Sequence, residues 1–96
     1  MSDMARLSPK QIRAEMESVP EWTRQGKAIF RVFQFEDFPS ALRFVNRIGR
    51  LAEKAWHHPD IDIRWNKVTL KLTTHDEGGL TEKDFALASQ FDRKAA

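Results

Sequence analysis

Apolar residues recur along the chain in two periods, one helical and one alternating, and together they lay out seven elements. Ile12, Met16 and Val19 stand at steps of four and three, the spacing of one helix face. Ser8-Pro9-Lys10-Gln11 precedes them as a helix start, with Ser8 as the cap, Pro9 at the first helical position and Gln11 completing a capping box. Pro20 stops the run. Trp22-Thr23-Arg24 predicts a short strand, Gln25-Gly26 a turn, and Lys27 to Phe35 its longer partner. Asp37 opens a second helix with Pro39 in its first turn. Phe38, Leu42, Val45, Ile48, Ala52 and Ala55 recur at steps of three and four and define its core face. Phe44 and Leu51 widen that stripe, which reads either as a broad core face or as a subunit contact.

Pro59 forces the chain out of the helix and holds His58 extended. Ile61, Ile63 and Trp65 then alternate with Asp62 and Arg64, as in a strand with one buried face. Asn66-Lys67 predicts a turn, and Val68, Leu70 and Leu72 alternate with Thr69, Lys71 and Thr73. His75 to Gly79 is a loop. Thr81 caps a last helix, with Asp84 three residues on and Phe85, Ala88 and Phe91 on its core side. The order α-β-β-α-β-β-α predicts an α+β fold. Its four-stranded antiparallel sheet carries three helices on one face and leaves the other partly free.

Composition narrows the function classes. Residues 1–96 suit a single domain with a modest core, to which seven Phe and three Trp contribute much of the apolar area. Sixteen basic against 14 acidic residues leave a charge of +2, too small an excess for a dedicated nucleic-acid binder. With no cysteine, disulfides, thiolate metal sites and cysteine nucleophiles are all excluded. The segment "MSDMARLSPK" has no apolar leader run, and no stretch approaches a membrane span, so a soluble cytoplasmic protein is expected.

The candidate chemistry lies in "EKAWHHPDIDIRW" and "TTHDEGGLTEKD", which hold all three histidines. His57 and His58 stand where the second helix ends, and a cation is favoured near a helix C-terminus, which suits a general acid. Taken alone, the pair is better explained by histidines that satisfy the last helical carbonyls. Adjacent residues on an extended segment point apart, and with His75 and Asp76 they match no metal spacing, so no metal is expected. His75 follows a strand, where loops present functional groups, and Gly78-Gly79 permits close approach of a ligand to the backbone, although alone it reads better as an exposed loop histidine before an ordinary turn. Asp84 suits both a helix cap with Thr81 and a buried carboxylate that fixes a histidine tautomer. Arg43, Arg47, Arg50 and Lys54 form a basic stripe on the second helix, best read as a solvated face.

Taken together, these residues resemble the pterin-4a-carbinolamine dehydratase family. The pattern runs from Glu53 across three residues to His57-His58-Pro59, five to Trp65, nine to His75 and eight to Asp84. "WNKVTLKLTTHDEGGLTEKDFALA" is similar to the second half of the family. The resemblance implies elimination of water from 4a-hydroxytetrahydrobiopterin, the adduct left by aromatic amino acid hydroxylases. The product is quinonoid dihydropterin, and no cofactor is required. It implies His57 and His75 as acids on the departing hydroxyl. His58 would bind the ring and share proton transfer, Glu53 or a histidine would act as base, and Asp84 would orient a histidine. It further implies Pro59 as the fixed backbone beside the substrate, Trp65 as a pocket wall, and assembly as a homodimer or homotetramer. A competing expectation within the same fold is a non-catalytic scaffold, either a transcriptional coactivator or an assembly factor. The intact histidines and aspartate favour the enzyme.

Overall fold

The computed structural model describes residues 5–95; Met1–Met4, the start of the segment read as free of a leader, and Ala96 lie outside them. Ser8 caps α1 (Pro9–Met16), accepting from the Gln11 N–H while the Gln11 side chain returns to the Ser8 N–H, as the capping box requires. The chain continues through β1 (Thr23–Gln25), β2 (Ala28–Gln34), α2 (Phe38–Ala55), β3 (Asp60–Arg64), β4 (Lys67–Leu72), a single 3-10 turn (His75–Glu77) and α3 (Glu82–Ala95). The sheet is antiparallel throughout, in the order β1-β2-β4-β3, so the two hairpins join through their longer strands. Three helices and four strands in the order α-β-β-α-β-β-α match the expected fold class.

Register decides which side chains reach the core. Ile29, Arg31 and Phe33 of β2 lie opposite Leu72, Leu70 and Val68 of β4, and this face packs against the helices. Phe30, Val32, Thr69 and Lys71 fall on the face without helices. Arg31 is the exception on the core side. Its guanidinium stacks 4.2 Å over the Phe33 ring and donates to Asp92 of α3 at 2.7 Å. The same carboxylate accepts from the Trp22 indole N–H at 2.8 Å.

Three expectations are corrected. On α2 the buried residues are Ala41, Phe44, Ile48 and Ala52, whereas Phe38 is 44% and Leu42 37% exposed. The stripe is wide enough to admit two faces, and docking on the sheet selects the one centred on Phe44. A subunit contact through Phe44 and Ile48 is therefore ruled out, since both are fully buried within the chain. The second correction concerns β3, whose five residues are all exposed. Ile61 and Ile63 do point to the core side of the sheet, but β3 is the outer strand and the helices stop short of it. The third is the β3–β4 turn, which is Trp65-Asn66, because Arg64 pairs with Lys67. Asn66 is buried and donates from its side chain to the Phe35 carbonyl, while its own carbonyl accepts from the Phe35 N–H, both at 2.9 Å. Those bonds tie the hairpin to the end of β2.

Candidate active site

The site is built where α2 stops, β4 ends and α3 begins. α2 closes at Ala55 in a left-handed turn: Trp56 has φ 51°, its N–H donates to the Glu53 carbonyl, and the His57 N–H reaches back to Ala52 at 3.1 Å. Glycine ordinarily occupies that position, because a Cβ there is strained. Strain of this kind persists where the surroundings over-determine it, most often at functional sites. Here it directs Trp56 outward, 71% exposed, and turns His57 inward.

His57 Nε2 lies 2.5 Å from Asp84 Oδ1, and Asp84 is fully buried. The second oxygen of Asp84 accepts from the Thr74 hydroxyl at 2.8 Å and from the Thr81 N–H at 3.0 Å. Asp84 therefore does two jobs: it returns to the first residue of the α3 cap and it holds a histidine. A carboxylate that only accepts leaves His57 Nε2 as the donor, so Nδ1 is the nitrogen left for a ligand. His58 is held separately, with Nε2 2.9 Å from Glu53 Oε1 and its ring edge-on to Trp56 at 5.1 Å. His75 opens the 3-10 turn after β4 and is exposed.

All three histidines line one open hollow of about 290 Å³, together with Trp56, Thr73, Thr74, Asp76 and Lys83. Residues far apart in sequence are thus assembled on one surface. Glu53 stands behind His58 and is not part of the lining. Pro59 links His58 to β3 without lining it. Trp65 does not reach the hollow of its own chain. It occupies the far end of β3, roughly 16 Å along the strand from the His58 end, is 70% exposed and has φ 53°. The alternating pattern had placed it in the strand and the family resemblance at the pocket, whereas Trp65 stands in the turn after Arg64, the last residue paired with β4. Lys83 and Thr74 were missed. Their signal was their neighbours, since each adjoins a motif residue on a segment that turns toward the site. Among the described residues no cluster of three or more histidine, aspartate or glutamate side chains is placed to hold a metal ion. No described helix is long and apolar enough to cross a membrane.

Such a fold defines a small α+β protein with a carboxylate-held histidine and two further imidazoles around a shallow polar hollow. The sequence profile of the family described as pterin 4 alpha carbinolamine dehydratase matches residues 5–94, and the chain belongs to that family. A relative from Roseiflexus sp. (strain RS-1), provisionally named a pterin-4-alpha-carbinolamine dehydratase, is 59% identical over 87 residues, 91% of this chain and 94% of its own. One from Thermomicrobium roseum with the same provisional name is 50% identical over 93 residues, covering 97% of this chain and 100% of its own. Among solved structures, a "transcriptional coactivator/pterin dehydratase from Brucella Melitensis" superposes with a TM-score of 0.91 at 32% identity, over 95% of this chain and 99% of that one. A "pterin dehydratase-like protein" described as a RuBisCO assembly factor superposes at 0.69 and 26% identity, over 79% and 90%.

Proposed function

We propose that the protein dehydrates 4a-hydroxytetrahydropterins, such as 4a-hydroxytetrahydrobiopterin, to the quinonoid dihydropterin and water. It would thereby recycle the pterin of aromatic amino acid hydroxylases as a hydro-lyase. The observation that carries this reading is the convergence of His57, His58 and His75 on one hollow with Asp84 bound to His57. Hydroxide is a poor leaving group, so an acid protonates it as the C4a–O bond breaks, while a base takes one proton from the ring nitrogen. The proton count balances and both steps lie within the range of imidazole. His57, with Nε2 on Asp84, uses Nδ1 as one acid, and His75 across the hollow is the other. His58, steadied by Glu53, holds the ring and shares proton transfer. Pro59 fixes the direction of His58. Nothing in these steps calls for a cofactor. The whole chain acts as one cytoplasmic domain, in a homodimer or homotetramer.

The test is the ultraviolet decay of chemically generated 4a-hydroxytetrahydropterin. Acceleration in proportion to protein is the expected result, and a decay rate unchanged by the protein would overturn the proposal. A second reading, an assembly scaffold, draws on the assembly-factor neighbour and on the exposed Phe38 and Leu42 of α2. It predicts a folded protein with no effect on that decay.

A further inference from the structure

The hollow at the histidines does not end at His75. Thr73 and His75 also border a second, larger hollow of about 420 Å³. The register puts its floor on the face of the sheet that no helix covers: Gln25 and Ala28 of the first hairpin, Lys71 of β4 and Asp60 of β3. Lys27 in the hairpin turn and the Gly78-Gly79 segment form its sides. The first hollow, at about 290 Å³, is at the small end of ligand pockets and suits a flat bicyclic ring. A substituent that leaves such a ring past His75 enters the second.

That second hollow is basic. Lys27 and Lys71 are exposed, and neither has a carboxylate within salt-bridge distance among the described residues, whose ion pairs involve Arg31, His57, His58 and Arg64. One carboxylate, Asp60, lines the hollow, opposite Lys71 in the β3–β4 register. The backbone of Lys27 is fixed to the site, because its carbonyl accepts from the Thr73 hydroxyl at 2.5 Å. Arg6 adds a third cation behind the glycines. The Leu7 N–H donates to the Leu80 carbonyl at 2.8 Å, and the Arg6 stem lies so close over Gly79 that a Cβ there would stand 2.9 Å from Arg6 Cδ. The Gly-Gly pair thus admits an arginine to the rim of the site. Arg6, Arg24 and Lys27 together line the adjoining hollow beyond Gly78-Gly79.

We propose that the preferred substrate is a pterin whose side chain carries an anionic group, received by Lys27 and Lys71 with Arg6 behind them. This rests on the pterin reading of the histidine hollow. Lysine is a point charge without the fork geometry of arginine, so phosphate and carboxylate share the chemistry that this hollow recognises.

The test uses the full chain and three stable 7,8-dihydropterins with the same side-chain length: one ending in a hydroxyl, one in a phosphate monoester, one in a carboxylate. Affinities are read by calorimetry at low and at 0.5 M salt, roughly 10 Å and under 5 Å of screening length. At least one anionic ligand should bind about three- to thirty-fold tighter than the neutral one, as expected of two or three exposed ion pairs, and the preference should shrink with salt. A gain for phosphate alone identifies a phosphorylated side chain, and a gain for both identifies a general anion site. In the Lys27→Gln/Lys71→Gln variant, confirmed folded by circular dichroism, the ratio of anionic to neutral affinity should fall to about one. Equal binding of all three ligands would overturn the anion proposal and leave the pterin reading standing, as would a preference that persists in the double variant. Binding of none would remove both.

Discussion

Asp84→Asn is the substitution that separates a catalytic His57 from a merely buried one. The carboxylate takes three hydrogen bonds: His57 Nε2 at 2.5 Å on one oxygen, and the Thr74 hydroxyl and Thr81 N–H at 2.8 and 3.0 Å on the other. An amide has one oxygen. With that oxygen kept on the Thr74 and Thr81 side, the amide NH2 faces His57 Nε2, and two donors meet unless His57 gives up its Nε2 proton. His57 is then a neutral imidazole with its proton on Nδ1, able to donate a hydrogen bond but not to act as the imidazolium acid. The reverse rotamer sets the NH2 against the Thr81 N–H inside the core and is worse. General acid catalysis contributes about 10²- to 10⁴-fold, and His75 remains, so dehydration should slow about a hundred-fold.

Stability should fall by about 1–3 kcal/mol, because charge-assisted bonds are exchanged for neutral ones while no buried group is orphaned. Asp84→Ala removes the acceptor altogether and should cost about 3–5 kcal/mol, close to what breaking a buried ion pair costs. The assay pairs the ultraviolet decay of the 4a-hydroxy adduct with a urea melt of the same sample. A folded Asp84→Asn protein within three-fold of full activity, roughly 0.7 kcal/mol in barrier, would refute the assignment of His57 as an acid held by Asp84.

Four further outcomes are expected. His57→Ala and His75→Ala should each slow dehydration by about ten- to a thousand-fold and the double variant by more, with melting curves showing all three folded; full activity in the folded double variant would end the acid assignment. Activity should survive treatment with a strong chelator followed by its removal, and loss restored by zinc or iron would contradict a purely acid-base reaction. Trp56→Gly should raise stability by about 1 kcal/mol by relieving the left-handed residue, yet lower activity, because the ring that touches His58 is lost. The Ser40 side chain and N–H, with Arg43 adding, hold the Asp37 carboxyl below the usual carboxylate range. The unfolded chain therefore binds the proton more readily, so this contribution is complete at neutral pH and is lost as acid carries the pH down through the folded value. Asp37→Asn keeps the cap and should show a flatter acid limb in urea melts.

The elements were legible because their signals are local. The Ser8 box, the Asp37 cap and the alternation of Val68, Leu70 and Leu72 each depend on neighbours in sequence, and each is found where it was expected. What the pattern does not carry is which of two apolar directions a helix turns to the sheet, or which strand is left at the edge. Phe38 and Leu42 obey the same helical period as Phe44 and Ile48, yet only the second pair is buried, since docking is set by the sheet rather than by the helix itself. Ile61 and Ile63 alternate as well as Val68 and Leu70 do, and they stay exposed because β3 has a neighbour on one side only.

The candidate site shows the same division. His57, His58, His75 and Asp84 were recognisable by their spacing, but the contact between His57 and Asp84 crosses 27 residues and exists only because α2 stops at Ala55. Pro59 suggested a later stop, and nothing in the local propensities points to a tryptophan in a left-handed turn. That turn is what separates the two adjacent histidines, sending His57 down to Asp84 and His58 back to Glu53. Trp65 shares the left-handed backbone of Trp56 and nearly the same exposure, but it terminates a hairpin pointing away from the hollow. The two tryptophans flank the His-His-Pro segment in sequence, Trp56 directly before it and Trp65 after β3. Only Trp56 lines the histidine hollow, because a helix end returns the chain to the core while the hairpin end leaves Trp65 in solvent.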